Sequence, residues 1–372
     1  MEIAHLTSAH RRYDNRIFLK ECRSLAAAGH RVTLVVADGG EDETVDGVRI
    51  ISTPKPQGRL NRFVRASWAV VRAAEQISPD AYHLHDPELL PYARRLARGG
   101  AKVYFDAHED LPAQLLSKSY IPSFARKPAS LAAQVLERGA ARHLTGVFTA
   151  TPFIRDKFLK QGVASIDINN YPSLDEAVSL LPWENKEAAC CYVGTISEKR
   201  GLLPLIQSLS VSRSCSTLHL VGTFSGRGLR TEASSLPGWS NVREWGHLNR
   251  AEVQQILRRS IAGIVTFLPE PNHVNAQPNK MFEYMAAGIP IVASDFPLWR
   301  SIIQGADCGL CVNPSDPEAI AKAIDYLVQN PGEAQRMGMN GRSAILSTYN
   351  WDQEKLKLIL AYQEGMGSPE CM

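Results

Sequence analysis

One stretch restricts the fold more than any other: residues 270–295, EPNHVNAQPNKMFEYMAAGIPIVASD, read in order as loop, helix, turn and strand. Pro278 suits the first helical position, and Met281, Phe282 and Met285 fall on one face. Gly288 can take the left-handed conformation that ends a helix and Pro290 prevents its continuation, which predicts a short helix over 278–287. The apolar runs Ala262–Leu268 before it and Ile289–Ala293 after it read as buried strands of a parallel sheet. The helix N-terminus then opens at the carboxyl edge of that sheet, where open α/β sheets bind ligands, and its unpaired N–H groups and dipole favour a phosphate. Glu283, one turn deeper, suits a neutral polyol such as a ribose, whose hydroxyls a carboxylate accepts together.

The rest of the chain repeats this alternation. Ile3–Leu6 reads as a strand, Ile17, Leu19, Cys22, Leu25 and Ala26 as a helical stripe closed by Gly29, and Val32–Val36 as the next strand. The loop after the first strand has no GxGxxG but offers Ser8, His10, Arg11 and Arg12 as donors and cations, a site on the acceptor side. Over 59–77 the pattern predicts an amphipathic helix with Leu60, Phe63, Val64, Trp68 and Val71 on one face, bordered by Arg59, Arg62, Arg65 and Arg72. Such a helix either packs on its own sheet or lies on anionic lipid. Strands at 81–85 and 102–106 each end in a His/acid cluster, HLHD and DAHED. Neither cluster has metal-ligand spacing, so no metal site is assigned.

The polar segment 173–187 marks a boundary and divides the chain into 1–170, 171–350 and a final helical segment 351–372. The second part opens with the strand Cys190–Val193 and a glycine-bounded loop, Gly194–Gly201, whose Lys199 and Arg200 form a diphosphate clamp for a leaving nucleotide. Further strands at 218–221 and 241–245 lead into glycine loops, the second through Gly246 and His247.

Composition narrows the class. A chain of 372 residues, 44% hydrophobic and 21% charged, is long enough for two domains, and no apolar run approaches the roughly 18 residues that span a bilayer. A cytoplasmic protein, working at the inner face of the membrane, is expected. The seven cysteines show no paired framework and read as reduced thiols, with Cys308–Cys311 a buried strand. Charge is uneven: residues 1–170 hold 24 Lys+Arg against 18 Asp+Glu, a net +6, while 171–372 hold 17 against 20, a net −3. The basic half suits an acidic membrane surface or a pyrophosphate-linked acceptor. Its cations are dispersed over helices without an aromatic binding strand, which argues against nucleic acid.

The string PNKMFEYMAAGIPIVASD resembles the donor-site signature of the family 4 nucleotide-sugar glycosyltransferases, and NRIFLKECRSLAAAGHRVTLV, HDPELLP and DAHED resemble the same family more loosely. The resemblance implies an α/β fold of GT-B architecture, two Rossmann-like domains with parallel sheets facing across a cleft, with the last helix packing back on the first domain. It also implies transfer, with retention, of a sugar from a UDP- or GDP-sugar to a hydroxyl, in the setting of lipid-linked glycans of bacterial surface polysaccharide, with no metal or other cofactor. Of the family's two glutamates eight positions apart, the second matches Glu283 and contacts the ribose. The first, which contacts the transferred sugar, is Asn275 here, an amide without charge. His108 matches the histidine that faces the donor sugar. The family's Arg after the first loop glycine is Thr195 here and its Lys before the second glycine is Arg200, which leaves Lys199 or Lys280 to supply the second cation. The backbone of Ala276 and Gln277 then orients the sugar, the N–H groups around Pro278, Asn279, Lys280 and Met281 hold the diphosphate, and Gly194, Gly246 and His247 lie near the nucleotide. Alternatives are a nucleotide-sugar epimerase or phosphorylase and a nucleotide-sugar-binding subunit without transferase activity.

Overall fold

Alternating strands and helices in both halves of the chain build two separate, mostly parallel sheets. The computed structural model describes residues 1–58, 61–118, 121–174, 179–214 and 217–366; Arg59 and Leu60 of the expected helix, Cys215 and Cys371 lie outside the described residues. Contacts divide the chain into two compact units, Met1–Asn170 with Trp351–Met372, and Tyr171–Asn350.

The first unit contains β1 (Glu2–Thr7), β2 (Arg31–Val36), β3 (Glu43–Val45), β4 (Val48–Ser52), β5 (Ala81–Leu84), β6 (Lys102–Ala107), β7 (Gly146–Thr149) and β8 (Ser165–Asp167). They lie in the order β3-β4-β2-β1-β5-β6-β7-β8, parallel except for the β3–β4 hairpin. Strand alternation sends Ile3, Leu34 and Tyr104 to one apolar cluster and Leu6, Val35 and Phe105 to the other, so both faces are buried. The second unit contains β9 (Ala189–Val193), β10 (Thr217–Val221), β11 (Val242–Gly246), β12 (Ala262–Val265), β13 (Ile291–Ser294) and β14 (Gly309–Val312), in the order β11-β10-β9-β12-β13-β14 and parallel throughout. Strand order reverses between β1 and β5 in one unit and between β9 and β12 in the other, and such reversals open a crevice at the carboxyl ends.

Three local expectations change. The first helix opens with a π-helical segment, Ile17–Cys22, before continuing as Arg23–Ala27. The wider winding turns Phe18, Lys20 and Glu21 inward and leaves Leu19 40% exposed, against the expected stripe. The next helix also opens with a π-helical segment, Arg62–Ala66, and buries Ala66, Ser67, Val70, Val71 and Ala74, while Phe63, Val64 and Trp68 stand in solvent. Trp68 is flanked by the guanidinium of Arg95, 4.5 Å from its ring centre, by that of Arg72 at 5.8 Å and by the Tyr92 ring at 6.0 Å. Third, Pro278 caps the helix Asn279–Ala286 instead of occupying its first turn.

The final helix, Trp351–Gln363, belongs to the first unit. Trp351 donates its indole N–H to Ser24 (2.9 Å), Glu354 accepts the N–H of Asn169 (2.7 Å), and the Tyr362 hydroxyl meets His83 Nδ1 (2.7 Å). Gly309–Val312 is a strand, and burial pushes the thiols of Cys308 and Cys311 up to about 12 and about 11, which keeps them protonated and unreactive. Among the described residues no helix is long and apolar enough to cross a membrane.

Candidate active site

At the strand reversal of the second unit, β9 runs into Gly194, which takes φ +113°. Gly201 closes the loop at φ +77° with the Thr266 carbonyl so near that any Cβ there would sit 1.7 Å from its oxygen. Only glycine fits this approach, so the loop is pinned against the end of β12. The Leu268 N–H adds a bond to the Lys199 carbonyl (2.9 Å).

Two cations look onto the open side of Gly194. A Cβ built on that glycine would lie 3.6 Å from the Nζ of Lys280 and 4.0 Å from Nη1 of Arg200. Lys280 is 7% exposed, and its Nζ has no hydrogen-bond partner among the described residues. The ammonium rests over the Tyr192 ring, 3.6 Å from its centre, with Phe267 at 5.2 Å. Burial, and then the charge of Arg200, push its pKa well below the usual lysine range. A nearby anion would reverse that shift. Thr266 Oγ1 is also buried without a partner.

The other expected residues fall around this point with differing roles. Lys199 is ion-paired to Glu270 at 2.8 Å, so of the two substitutes for the missing cation it is Lys280 whose Nζ has no ion pair or hydrogen bond among the described residues, the charge of Glu283 reaching it only at longer range. Thr195 is exposed, and its carbonyl accepts from Tyr192 OH (2.9 Å) and Arg200 Nη1 (3.3 Å). Ala276 is fixed through its carbonyl by the Trp299 indole N–H (2.6 Å), and Gln277 Oε1 is buried without a partner. The N–H groups of Asn279 and Lys280 are unpaired among the described residues. Met281 does not share that role: its N–H bonds to the Pro278 carbonyl (3.0 Å) and its side chain is fully buried in the core. Glu283 is half-buried one turn on, and Asn275 is half-buried in the preceding turn. The Gly246 carbonyl accepts from the Gly222 N–H (2.7 Å), and His247 is exposed.

The strand reversal of the first unit is built from carboxylates. Asp86, after β5, accepts from the Ser8 N–H (2.6 Å), Thr7 Oγ1 (2.8 Å) and the Ala9 N–H (3.1 Å), and pairs with His10 Nδ1 (3.0 Å). Burial alone would raise its pKa, but these donors hold it at about 2, and Asp86 in turn raises that of His10. Ser8 and His10 are thus turned onto Asp86 and serve to shape the loop, while Arg11 is exposed. A second carboxylate, Asp106, accepts two bonds from Arg16, Nε at 2.9 Å and Nη2 at 2.8 Å, and a third from His108 Nε2 at 2.9 Å. All of this but His108 is fully buried, and the Arg16 charge keeps Asp106 ionised despite its burial. An ionised carboxylate only accepts, so the Nε2–H of His108 is the donor in that bond. Arg16 was not singled out from sequence, and Asp86 and Asp106 only as the acids of the HLHD and DAHED clusters. The carboxylate two residues before His108 was the available signal, but its partner lies 90 positions away.

Donor atoms of His5, Glu21, His83 and His85 lie within 4.8 Å of one another. The rings of His83 and His85 are nearly parallel, 14° apart with centres 4.6 Å distant, and His5 Nδ1 meets His85 Nε2 at 2.8 Å. The His5–His85 bond takes one ring nitrogen of each, the stacked His83 ring turns its face and not its lone pairs to His85, and the three histidines are held neutral, their pKa values lowered by burial.

Residues 15–169 match the glycosyl transferase 4-like domain and residues 176–344 match the glycosyl transferases group 1 domain. Glycogen synthase of Mycobacterium tuberculosis is 22% identical, with 93% of this chain and 90% of that protein aligned. Phosphatidyl-myo-inositol mannosyltransferase of Mycobacterium leprae is 25% identical over 52% of this chain and 51% of that protein. Among solved structures, sucrose-phosphate synthase from Thermosynechococcus elongatus superposes with a TM-score of 0.79 at 17% identity, covering 98% of each chain. Anabaena HepE in complex with UDP-glucose superposes at 0.71 and 14% identity, covering 98% of this chain and all of that one. With both of its domains matched in sequence and their architecture matched in structure, the chain belongs to the family 4-type glycosyltransferases of GT-B fold and is an enzyme that transfers a sugar from a nucleotide-sugar.

Proposed function

We propose that the enzyme moves a sugar, with retention, from a UDP- or GDP-sugar to a hydroxyl of a lipid-linked glycan. The observation that carries the donor assignment is the buried, partnerless ammonium of Lys280 beside Arg200 and the open face of Gly194. An unpaired buried cation is unfavourable unless an anion arrives to neutralise it, and a diphosphate does so at the crevice where open sheets bind ligands. The unpaired N–H groups of Asn279 and Lys280 add donors, and Glu283 accepts from the ribose hydroxyls.

In the proposed reaction the bond from the anomeric carbon to the phosphate oxygen breaks, and a bond to the acceptor oxygen forms on the same face. The acceptor proton passes to the departing phosphate oxygen. Lys280 and Arg200 stabilise the charge that accumulates on the diphosphate, so catalysis rests on orientation and leaving-group stabilisation, and the scheme uses no metal. Asn275 hydrogen-bonds the transferred sugar through its amide, and His108 is assigned to a hydroxyl of that sugar on the family resemblance alone.

A thermal-shift titration tests the donor site. UDP or GDP should raise the melting temperature where the free nucleosides do not. Lys280→Met should weaken diphosphate binding about tenfold or more while leaving nucleoside binding unchanged. Equal diphosphate affinity in wild type and variant would remove the assignment.

A further inference from the structure

In the first unit, the 19-residue helix Ser123–Ala141 presents an apolar stripe to solvent. Phe124, Leu131 and Val135 are 82%, 61% and 63% exposed, and their spacing of seven and four residues aligns them along one face. Lys127 and Arg138 are exposed on the same helix. Glu137, its one carboxylate, is turned inward to Lys157 at 2.6 Å and is 3% exposed, so the outer face carries no negative charge. At the helix end, Arg138, Arg142 and Lys160 line a groove floored by Gln161–Val163 with no acidic residue on its wall. None of these three cations is ion-paired among the described residues.

We propose that this face docks on an anionic phospholipid bilayer, the helix lying in the interface with its apolar stripe towards the acyl boundary and the groove holding headgroup phosphates. The charge pattern selects this occupant: an apolar stripe flanked by unpaired cations, with its only carboxylate withdrawn, matches a negatively charged amphipathic surface. Each cation near such a surface raises partitioning about fivefold, an effect that salt screens. Docking brings the first unit to the place where lipid-linked acceptors reside, and in that respect the inference rests on the acceptor part of the proposed function. The donor site of the second unit does not enter it.

The test floats the full chain with vesicles of phosphatidylcholine, with and without phosphatidylglycerol, at low and high salt, and titrates UDP and GDP in the same samples. The wild type should partition to the anionic vesicles about tenfold over the neutral ones at low salt and lose that preference at high salt. L131Q/V135Q and R138E/R142E should each lower anionic partitioning about tenfold or more, with melting temperature and nucleotide response unchanged. The proposal is overturned by absence of wild-type binding, by variants that bind as the wild type does, or by equal, salt-insensitive binding to neutral vesicles. A concentration-dependent dimer that L131Q/V135Q dissolves would overturn it too, because the stripe would then cover a second copy of the chain. Inorganic phosphate binding at the groove without vesicle binding would likewise replace the lipid by a free anion. Since the vesicles carry no glycan, failed docking with an intact nucleotide response leaves the donor assignment standing, and the reverse result leaves docking standing.

Discussion

The two strand reversals of this enzyme sit at equivalent places in their sheets and are built on opposite principles. At the ends of β1, β5 and β6, Asp86 and Asp106 each collect three or more donors, and the deeply buried cation Arg16 is held by two bonds to Asp106. At the end of β9 and β12, the buried cation Lys280 lies over aromatic faces beside a second cation, with Glu283 acting on it through charge and no hydrogen bond to its Nζ, and Thr266 Oγ1 and Gln277 Oε1 are left unsatisfied among the described residues. Asp86 and Asp106, saturated by their own donors, fix a shape, although Glu21 beside Arg16 has carboxylate oxygens without a hydrogen bond among the described residues; the deficit around Lys280 faces the open side of Gly194, where a ligand would complete it. The contrast separates residues that arrange the first unit from residues proposed to bind substrate in the second.

The largest test of that contrast is a pair of substitutions. Arg16→Ala strands Asp106 as an unpaired buried charge and should destabilise the protein by about 3–5 kcal/mol in chemical denaturation. Lys280→Met removes a buried ammonium that has no hydrogen bond or ion pair among the described residues, and should leave the midpoint unchanged or raise it. Equal destabilisation by the two would erase the distinction. Next, Glu283→Ala should weaken nucleotide-sugar binding by about tenfold to a hundredfold by calorimetry, since a carboxylate's bonds to two hydroxyls are lost, without a comparable fall in stability. Wild-type affinity in that variant would move the ribose elsewhere.

Asn275→Glu asks whether the neutral position has been adopted for use. A turnover about tenfold lower would show that the amide is specifically used, and a higher one that the position has merely lost its charge. The smallest effect concerns pH. The folded pKa of His10 is raised above its ordinary 6.5 by Asp86, so its contribution is complete below about pH 6.5 and is lost as pH rises through the folded value. His10→Gln should therefore flatten the melting profile of the wild type on the alkaline side of neutrality by about a degree or two, His10 being partly exposed. A profile identical to the wild type would show that the Asp86 clamp does not depend on the imidazolium.

Local chemistry in the chain was enough for much of this. The 270–295 stretch alone specifies helix, stop and strand, because proline and glycine punctuate it and its apolar residues keep one period. The strand ends that carry Ser8, His108, Gly194 and Glu283's helix were legible for the same reason. What a period of 3.6 could not foresee was the π-helical winding at Ile17–Cys22 and Arg62–Ala66, where hydrogen bonds to the fifth residue rotate the buried face and expose Leu19, Phe63 and Val64.

The sequence by itself determined the alternation, the sheet edges and the residue types available at them, since each depends on neighbours a few positions away. Only the tertiary structure decided which of those residues were already occupied. Lys199 and Lys280 are alike as side chains, and their difference lies in Glu270, which folds back onto one and not the other. Arg16 and Asp106 are likewise ordinary until 90 residues of intervening chain bring them into a buried pair. Ion pairing and burial are properties of distance in space, and separation along the chain does not encode them.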